Sequence, residues 1–277
     1  MKHRILYITP EVPHFPGGHG GNIREFNLLS NLAGRYQFDM IALKPSDRSN
    51  VEKINQLGIE VLYYPPAHKP KKPDAVWLKK FKQLLRFGRV ALFCLRRGVT
   101  NNLPPLSVYY LQVFRNASIK LNLQDYDLVQ IEHTYLLPIA ELLSTSAHCP
   151  PIVVTAHNVE AIQAYRTAKL FRGINRFFEW MIARLTRRME GKLVSKASMV
   201  LTMSNYDAQW FMENYGLQQD SVAVIPSGVD MGYFSEIKSS PEPNLLVFTG
   251  TFGHLPNMDA VMWFRRNVLP RIVQEHP

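Results

Sequence analysis

Short apolar runs separated by longer mixed stretches pattern this chain from residue 4 to residue 225. Segments 4–9, 38–43, 59–63, 128–131, 152–156, 199–203 and 222–225 are β-branched or aromatic-rich and almost continuously apolar. Strands buried on both faces of a parallel sheet read this way, whereas a sheet wetted on one face alternates. Between them, segments 22–33, 51–57, 106–123, 138–143, 161–196 and 206–215 repeat apolar residues at helical intervals. Strand and helix in alternation predict an α/β fold, a Rossmann-like doubly wound parallel sheet over residues 1–225. Residues 226–243 hold Pro226, Gly228, Gly232, Ser239, Ser240, Pro241 and Pro243 and read as a linker. Residues 244–277 then offer one further strand, 245–249, a glycine turn and a helix from Asn257. A single strand–helix unit cannot cover both faces of its strand, so this segment is expected to open a second, truncated domain.

Composition narrows the class. With 46% hydrophobic and 19% charged residues the chain can fill a core, which excludes a disordered protein. Two cysteines, Cys94 and Cys149, are too few for a disulfide scaffold and suit a reducing compartment. The apolar run near the start, Ile5 to Ile8, is too short for a signal-peptide core, and no run approaches the ~18 apolar residues of a spanning helix. A cytoplasmic protein is expected, with peripheral attachment to the inner face of the membrane as an option.

The net charge of +10 is unevenly spread: residues 69–99 carry +9, residues 165–196 carry +7, and the remainder is −6. In the first basic segment Trp77, Phe81, Leu84, Leu85, Leu92 and Leu95 recur at helical spacing, and Lys79, Lys82, Arg86 and Arg89 form a second stripe. Two readings stay open: an interfacial helix on an anionic membrane, or a helix whose apolar side packs on its own domain. Nucleic acid is not expected as a partner, because no helix-turn-helix, RNP or zinc-finger pattern accompanies the charge.

Candidate chemistry gathers after the strands. Gly17, Gly18, Gly20 and Gly21 follow the first strand, with Asn22 and Arg24 opening the helix behind them. Glycines let a backbone approach a ligand, and the free N–H groups of a helix start favour an anion such as phosphate. The stretch is not a P-loop, which needs a Lys-Ser/Thr pair. It is not a dinucleotide fingerprint either, since Ile23 stands where the third glycine belongs and the nearest acid, Asp39, starts its strand instead of ending it. Glu132 and His133 follow the fourth strand, His157, Asn158 and Glu160 the fifth, Ser204 and Asn205 the sixth. Ligands of open α/β sheets bind beyond these carboxyl ends. Taken singly, Ser204 and Asn158 equally suit helix caps. No pair has the His-Glu-x-x-His metal spacing and no Gly-x-Ser-x-Gly elbow occurs, so neither a metal nor a serine-hydrolase site is expected.

Taken in order, several pieces resemble one family: Gly20–Gly21 with Arg24, DLVQIEHTYLLP from Asp127, TAHNVE from Thr155, LTMSNYD from Leu201, IPSGVDMGYF from Ile225 and LLVFTGTFGHLPNMDAVMWF from Leu245. The chain is similar to the N-terminal part of family 4 glycosyltransferases of GT-B architecture, two Rossmann-like domains facing across a cleft. The resemblance implies retaining transfer of a hexosyl-type sugar from a nucleotide-sugar, a co-substrate and not a cofactor, to a glycan or lipid-linked acceptor in cell-surface glycan synthesis. It implies that His157, with either Glu132 or His133, contacts the sugar, and that Gly17, Gly18, Gly20, Gly21, Asn22 and Arg24 lie against substrate or phosphate. It also implies a donor-side loop at Gly250, Thr251, Phe252, Gly253 and Asn257, although the Arg and Lys usual near that loop are lacking here. Lys79, Lys82, Arg86 and Arg89 become candidate membrane or acceptor contacts. The alternative is a non-catalytic module that binds a membrane or a glycan-synthesis complex. The family's two glutamates spaced seven residues apart would lie beyond residue 277. The purified 277-residue chain is therefore expected to transfer no sugar by itself, and turnover by that chain in a donor-hydrolysis assay would overturn this.

Overall fold

The computed structural model describes residues 2–66, 103–117, 121–229, 231–235, 240, 242–250, 252 and 255–276. Seven parallel strands form one sheet: β1 (Arg4–Thr9), β2 (Gln37–Ala42), β3 (Glu60–Tyr63), β4 (Leu128–Glu132), β5 (Ile152–Ala156), β6 (Met199–Thr202) and β7 (Val222–Val224). Their order is β3-β2-β1-β4-β5-β6-β7. The chain winds outward from β1 to one edge, returns to β4 beside β1 and winds to the other edge. Doubly wound sheets of this kind open a crevice at the β1–β4 switch point.

Alternate residues of each strand feed two apolar layers, as the unbroken apolar runs require. Ile5, Tyr7, Phe38 and Met40 pack with Leu29 of α1 (Gly20–Leu32) and with Val51 and Ile54 of α2 (Arg48–Gln56). Leu6, Ile8, Val129, Ile131 and Val154 face the other way. They meet Tyr110 of α3 (Pro105–Asn116), Ile139 of α4 (Leu137–Leu143), Ala161 of α5 (Glu160–Leu170), Leu193 of α6 (Gly173–Leu193) and Phe211 of α7 (Asn205–Tyr215). At the amino end of the sheet the buried Asp39 accepts hydrogen bonds from Arg4 Nη2 at 2.7 Å and from the Tyr126 hydroxyl at 2.8 Å. That acid fastens strands together.

Three expectations are corrected. The pattern over 161–196 is two helices, not one: Phe171 and Arg172 are extended, and α6 begins at Gly173 with φ of 58°. Glycine supplies that backbone freely, and apolar periodicity continues across the break because both helices pack on one layer. The pattern over 106–123 ends at Asn116. No strand forms at 245–249: Leu245, Leu246, Val247 and Phe248 are exposed and pair with no strand among the described residues. An isolated strand has no ladder to join, so apolar content alone does not make one. Within residues 226–243 the short helix α8 (Met231–Ser235) forms, and α9 (Leu255–Asn267) and α10 (Leu269–Glu275) follow. The basic segment 69–99 lies outside the described residues. No described helix is long and apolar enough to cross a membrane.

One buried carboxylate joins three elements. Glu190 of α6 accepts from Thr134 Oγ1 at 2.5 Å, from the backbone N–H groups of Glu160 at 3.1 Å and Ala161 at 3.0 Å, and from the Tyr215 hydroxyl at 2.9 Å. It serves as the cap that α5 lacks locally, since Val159 offers no side-chain acceptor. Replacing Glu190 with Ala leaves four donors unanswered, two of them buried and two part-buried. The variant should lose about 3 kcal/mol of stability in urea unfolding, and a loss below about 1 kcal/mol would mean that the network is slack.

Candidate active site

The crevice at the switch point is lined from five elements. β1 contributes Tyr7 and Thr9, α1 contributes Glu25, the end of β4 gives Glu132 and His133, and the end of β5 leads to His157 and, at the start of α5, Glu160. Glu25, His133 and His157 each place a ligand-capable atom within 4.8 Å of the others. His157 Nε2 is 2.7 Å from Glu132 Oε2, and Glu25 Oε1 is 3.9 Å from the Nε2 of both histidines. Gln130 Nε2 at 3.1 Å and Thr155 Oγ1 at 3.0 Å donate to Glu132 Oε1. Thr9 Oγ1 at 2.6 Å and the Tyr7 hydroxyl at 3.4 Å donate to Glu25 Oε2.

Four rings hold the histidines. Tyr110 stacks on Tyr135 at 5.5 Å, Tyr135 on His133 at 4.8 Å, and His133 on His157 at 4.0 Å between centroids. His133 has φ of 73°, a conformation that costs a non-glycine residue about 1–3 kcal/mol. Its N–H donates to Thr155 O at 2.8 Å and its carbonyl accepts from Leu136 N at 3.1 Å. The backbone is thus twisted to aim the ring into the crevice. His133 Nδ1 is buried with no hydrogen-bond partner. Glu160 Oε1 lies 4.0 Å from it.

Electrostatics set the protonation. Burial, then repulsion from Glu132, pushes the Glu25 carboxyl well above its usual range. Burial, then the neighbouring His157, holds His133 well below the ordinary histidine value. These shifts bias Glu25 toward its protonated form and His133 toward the uncharged imidazole. Glu160 is pushed up to about 8 by burial and by Glu190. A single metal ion does not fit the stacked pair. Ring planes only 15° from parallel at 4.0 Å direct their in-plane lone pairs alongside each other instead of to a common point ~2 Å from both.

The glycine loop leans on this cluster. An added Cβ at Gly21 would lie 3.1 Å from His157 Nδ1, and Gly17 and Gly18 have positive φ. His19 caps α1, accepting from Asn22 N through Nδ1, while its Nε2 is 2.7 Å from Glu11 Oε1. Asn22 is buried, and its side chain clamps the loop by accepting from His14 N at 2.9 Å and facing Val12 O at 3.4 Å. Arg24 donates from Nη2 to Ile225 O at 2.8 Å, just past β7.

The sequence therefore named Glu132, His133 and His157, and the fold brings them together. It did not name Glu25, Tyr7 or Thr9. The clue to Glu25 was present: Asn22, Glu25 and Leu29 fall on the buried side of α1, and an acid on a buried helix face needs a reason. Ser204 is a helix cap, accepting from Asp207 N at 3.1 Å. Gly250 is crowded, since a Cβ there would lie 2.8 Å from Asn257 Nδ2, and Phe252 is exposed. Thr251, Gly253, Lys79, Lys82, Arg86 and Arg89 lie outside the described residues. Past His157, Asn158 borders a hollow of about 1150 Å³ also lined by Arg166, Tyr206, Phe248 and Trp263.

Ligands of Rossmann-like sheets bind in the crevice at the switch point, which is where these polar side chains gather. Comparison with known families is specific: the description "Glycosyltransferase Family 4" matches residues 20–233. The chain belongs to glycosyltransferase family 4. No curated protein sequence matches significantly. Similar solved structures include sucrose-phosphate synthase from Thermosynechococcus elongatus, at 13% identity and TM-score 0.46 over 83% of this chain and 49% of that one. A glycosyltransferase from Rickettsia africae shares 14% identity at TM-score 0.38, over 87% and 47%. The trehalose-6-phosphate phosphatase N-terminal domain from Candida albicans shares 15% at TM-score 0.43, over 85% and 51%. The chain spans about half the length of these structures.

The raised Glu160 pKa has a consequence for stability. An acid whose folded value, about 8, lies above its ordinary value binds more protons when folded, so its contribution to stability falls as pH rises from the ordinary carboxylate range to about 8. Glu160→Gln should gain Tm relative to the parent on going from about pH 5 to pH 8. A constant difference across that range would show that Glu160 titrates normally.

Proposed function

We propose that this chain forms the acceptor-side domain, residues 1–225, of a retaining glycosyltransferase. The parent enzyme would move a hexosyl group from a nucleotide-sugar to a glycan or lipid-linked acceptor in cell-surface glycan synthesis. Family membership supports the transferase class. The observation that carries the site is the convergence of Glu25, Glu132, His133 and His157 on one buried crevice beneath the glycine loop.

In this reading the chain's residues grip and orient the sugar. Neutral His133 uses its unpartnered Nδ1 for one sugar hydroxyl. Protonated Glu25 donates to a second. The close His157–Glu132 pair holds the imidazole in orientation beside Gly21, on the diphosphate side of the donor. The acceptor oxygen forms its bond to the anomeric carbon as the bond to the donor phosphate breaks, and the acceptor's proton passes to the departing phosphate oxygen on the same face. The glycine loop and the start of α1 supply N–H groups to that anion. The groups that read the nucleotide base belong to the second domain in this proposal, with residues 226–243 as linker and Gly250 to Asn257 as its donor-side loop.

The test is a donor and acceptor screen on the complete protein, followed by variants. Glu132→Gln and His157→Ala each remove one charge-assisted contact, worth about 1.5–3 kcal/mol, and should lower kcat/KM roughly tenfold to a hundredfold. Gly21→Val should do the same by pushing His157 aside. Unchanged kcat/KM in all three would overturn the site. Absence of transfer with every sugar-nucleotide, together with retained binding to the glycan acceptor, would favour the non-catalytic module.

A further inference from the structure

Helix α6 carries a surface that the transferase reading does not use. Its buried side is Ala183, Thr186, Glu190 and Leu193. On its outer side Ile174, Phe177, Trp180 and Met181 are 66%, 53%, 43% and 37% exposed. Two turns further along the same stripe, Arg184, Arg187, Arg188 and Lys192 are exposed. The halves meet where the Arg184 guanidinium lies over the Trp180 ring at 4.9 Å. The apolar half continues to the α5–α6 turn through exposed Leu170. The basic half borders a hollow of about 670 Å³ that Arg115, Arg188 and Lys192 line, with Glu141 as its acid.

We propose that the outer stripe of α6 docks this protein on an anionic lipid surface. The aromatic and aliphatic half enters the headgroup boundary, and the arginine half, with the hollow beside it, takes lipid phosphates. Three observations favour a membrane over a protein partner. Large apolar side chains are lined up on one helix face, not gathered in a pocket. Trp and Phe adjoin arginines, the composition of interfacial helices. Residues 165–196 carry +7 in a chain whose charge outside its two basic segments is −6, which fits a negatively charged surface. The inference is independent of the chemistry in the crevice.

The test is co-sedimentation of the chain with phosphatidylcholine vesicles, with and without phosphatidylglycerol. Binding is expected only with the anionic lipid and should weaken with salt. Arg184→Glu with Arg188→Glu should weaken it more than about tenfold, given the worth of each basic residue near such a surface. Phe177→Ser with Trp180→Ser should weaken it in a salt-independent way. All four side chains are exposed, and unchanged circular dichroism and Tm will show that the fold persists. Arg184→Gln with Arg188→Gln is a gentler pair if charge reversal disturbs it. Absence of vesicle binding would overturn the proposal. So would binding that survives the α6 variants and disappears on neutralising Lys79, Lys82, Arg86 and Arg89, which would assign the contact to that segment. A concentration-dependent dimer abolished by Phe177→Ser, without vesicle binding, would overturn it in favour of a second copy of this chain. Because the readout is sedimentation, its failure says nothing about transfer, and loss of transfer says nothing about docking.

Discussion

The Glu190 carboxylate is the contact on which the geometry of the crevice rests. Its oxygens answer the Thr134 hydroxyl, two N–H groups at the start of α5 and the Tyr215 hydroxyl. Thr134 directly follows His133, and Glu160 is three residues past His157. The two loops that carry the histidines are thus fastened to one point on α6 instead of being free ends of two strands. A carboxylate is suited to this task because it only accepts, and four donors surround it. Burial raises its pKa, while the donated hydrogen bonds act in the opposite sense. The network offsets part of the cost of burying the carboxylate by surrounding it with dipoles.

The crevice uses the reverse arrangement. Glu25 and Glu132 are buried near each other, with the rings of His133 and His157 beside them. Burial, then repulsion from Glu132, raises Glu25, and burial together with His157 lowers His133. Two chemically similar pairs, each a glutamate and a histidine, are therefore pushed apart in character. One is neutral and offers hydrogen bonds; the other is closely paired at 2.7 Å. A polyhydroxylated ligand is matched by such a mixture of donors and acceptors better than by a single strong charge, because each hydroxyl both donates and accepts.

Much of the sheet was legible because parallel strands need apolar residues on both faces, and few other structures ask for that. All seven runs between residues 4 and 225 became strands, with ends moved by one residue at most. The same rule failed at 245–249, where apolar content is present but a pairing neighbour is not. Composition reports the demand for burial; it does not report who supplies the partner. Helix ends were less legible where the break was a glycine inside a continuing apolar period, as at Gly173. In the site, residues just past strand ends could be read from order alone. Glu25 could not, because its importance depends on which helix face turns inward. Glu190 could not either, since it meets Thr134 from 56 positions away.

Arg24 gives the glycine loop a mechanical property. Its side chain leaves α1 one residue before Glu25 and holds the carbonyl of Ile225, where the chain departs from the sheet. Ile225 is still anchored, its N–H donating to Thr202 O at 2.8 Å. The bond joins residues 201 positions apart at the solvent-exposed margin of the crevice, where water competes for both partners. It therefore behaves as a latch, closed by a single contact and opened at small cost. The helix that carries Glu25 is thus tied directly to the point where the chain leaves the sheet, as well as to the sheet itself.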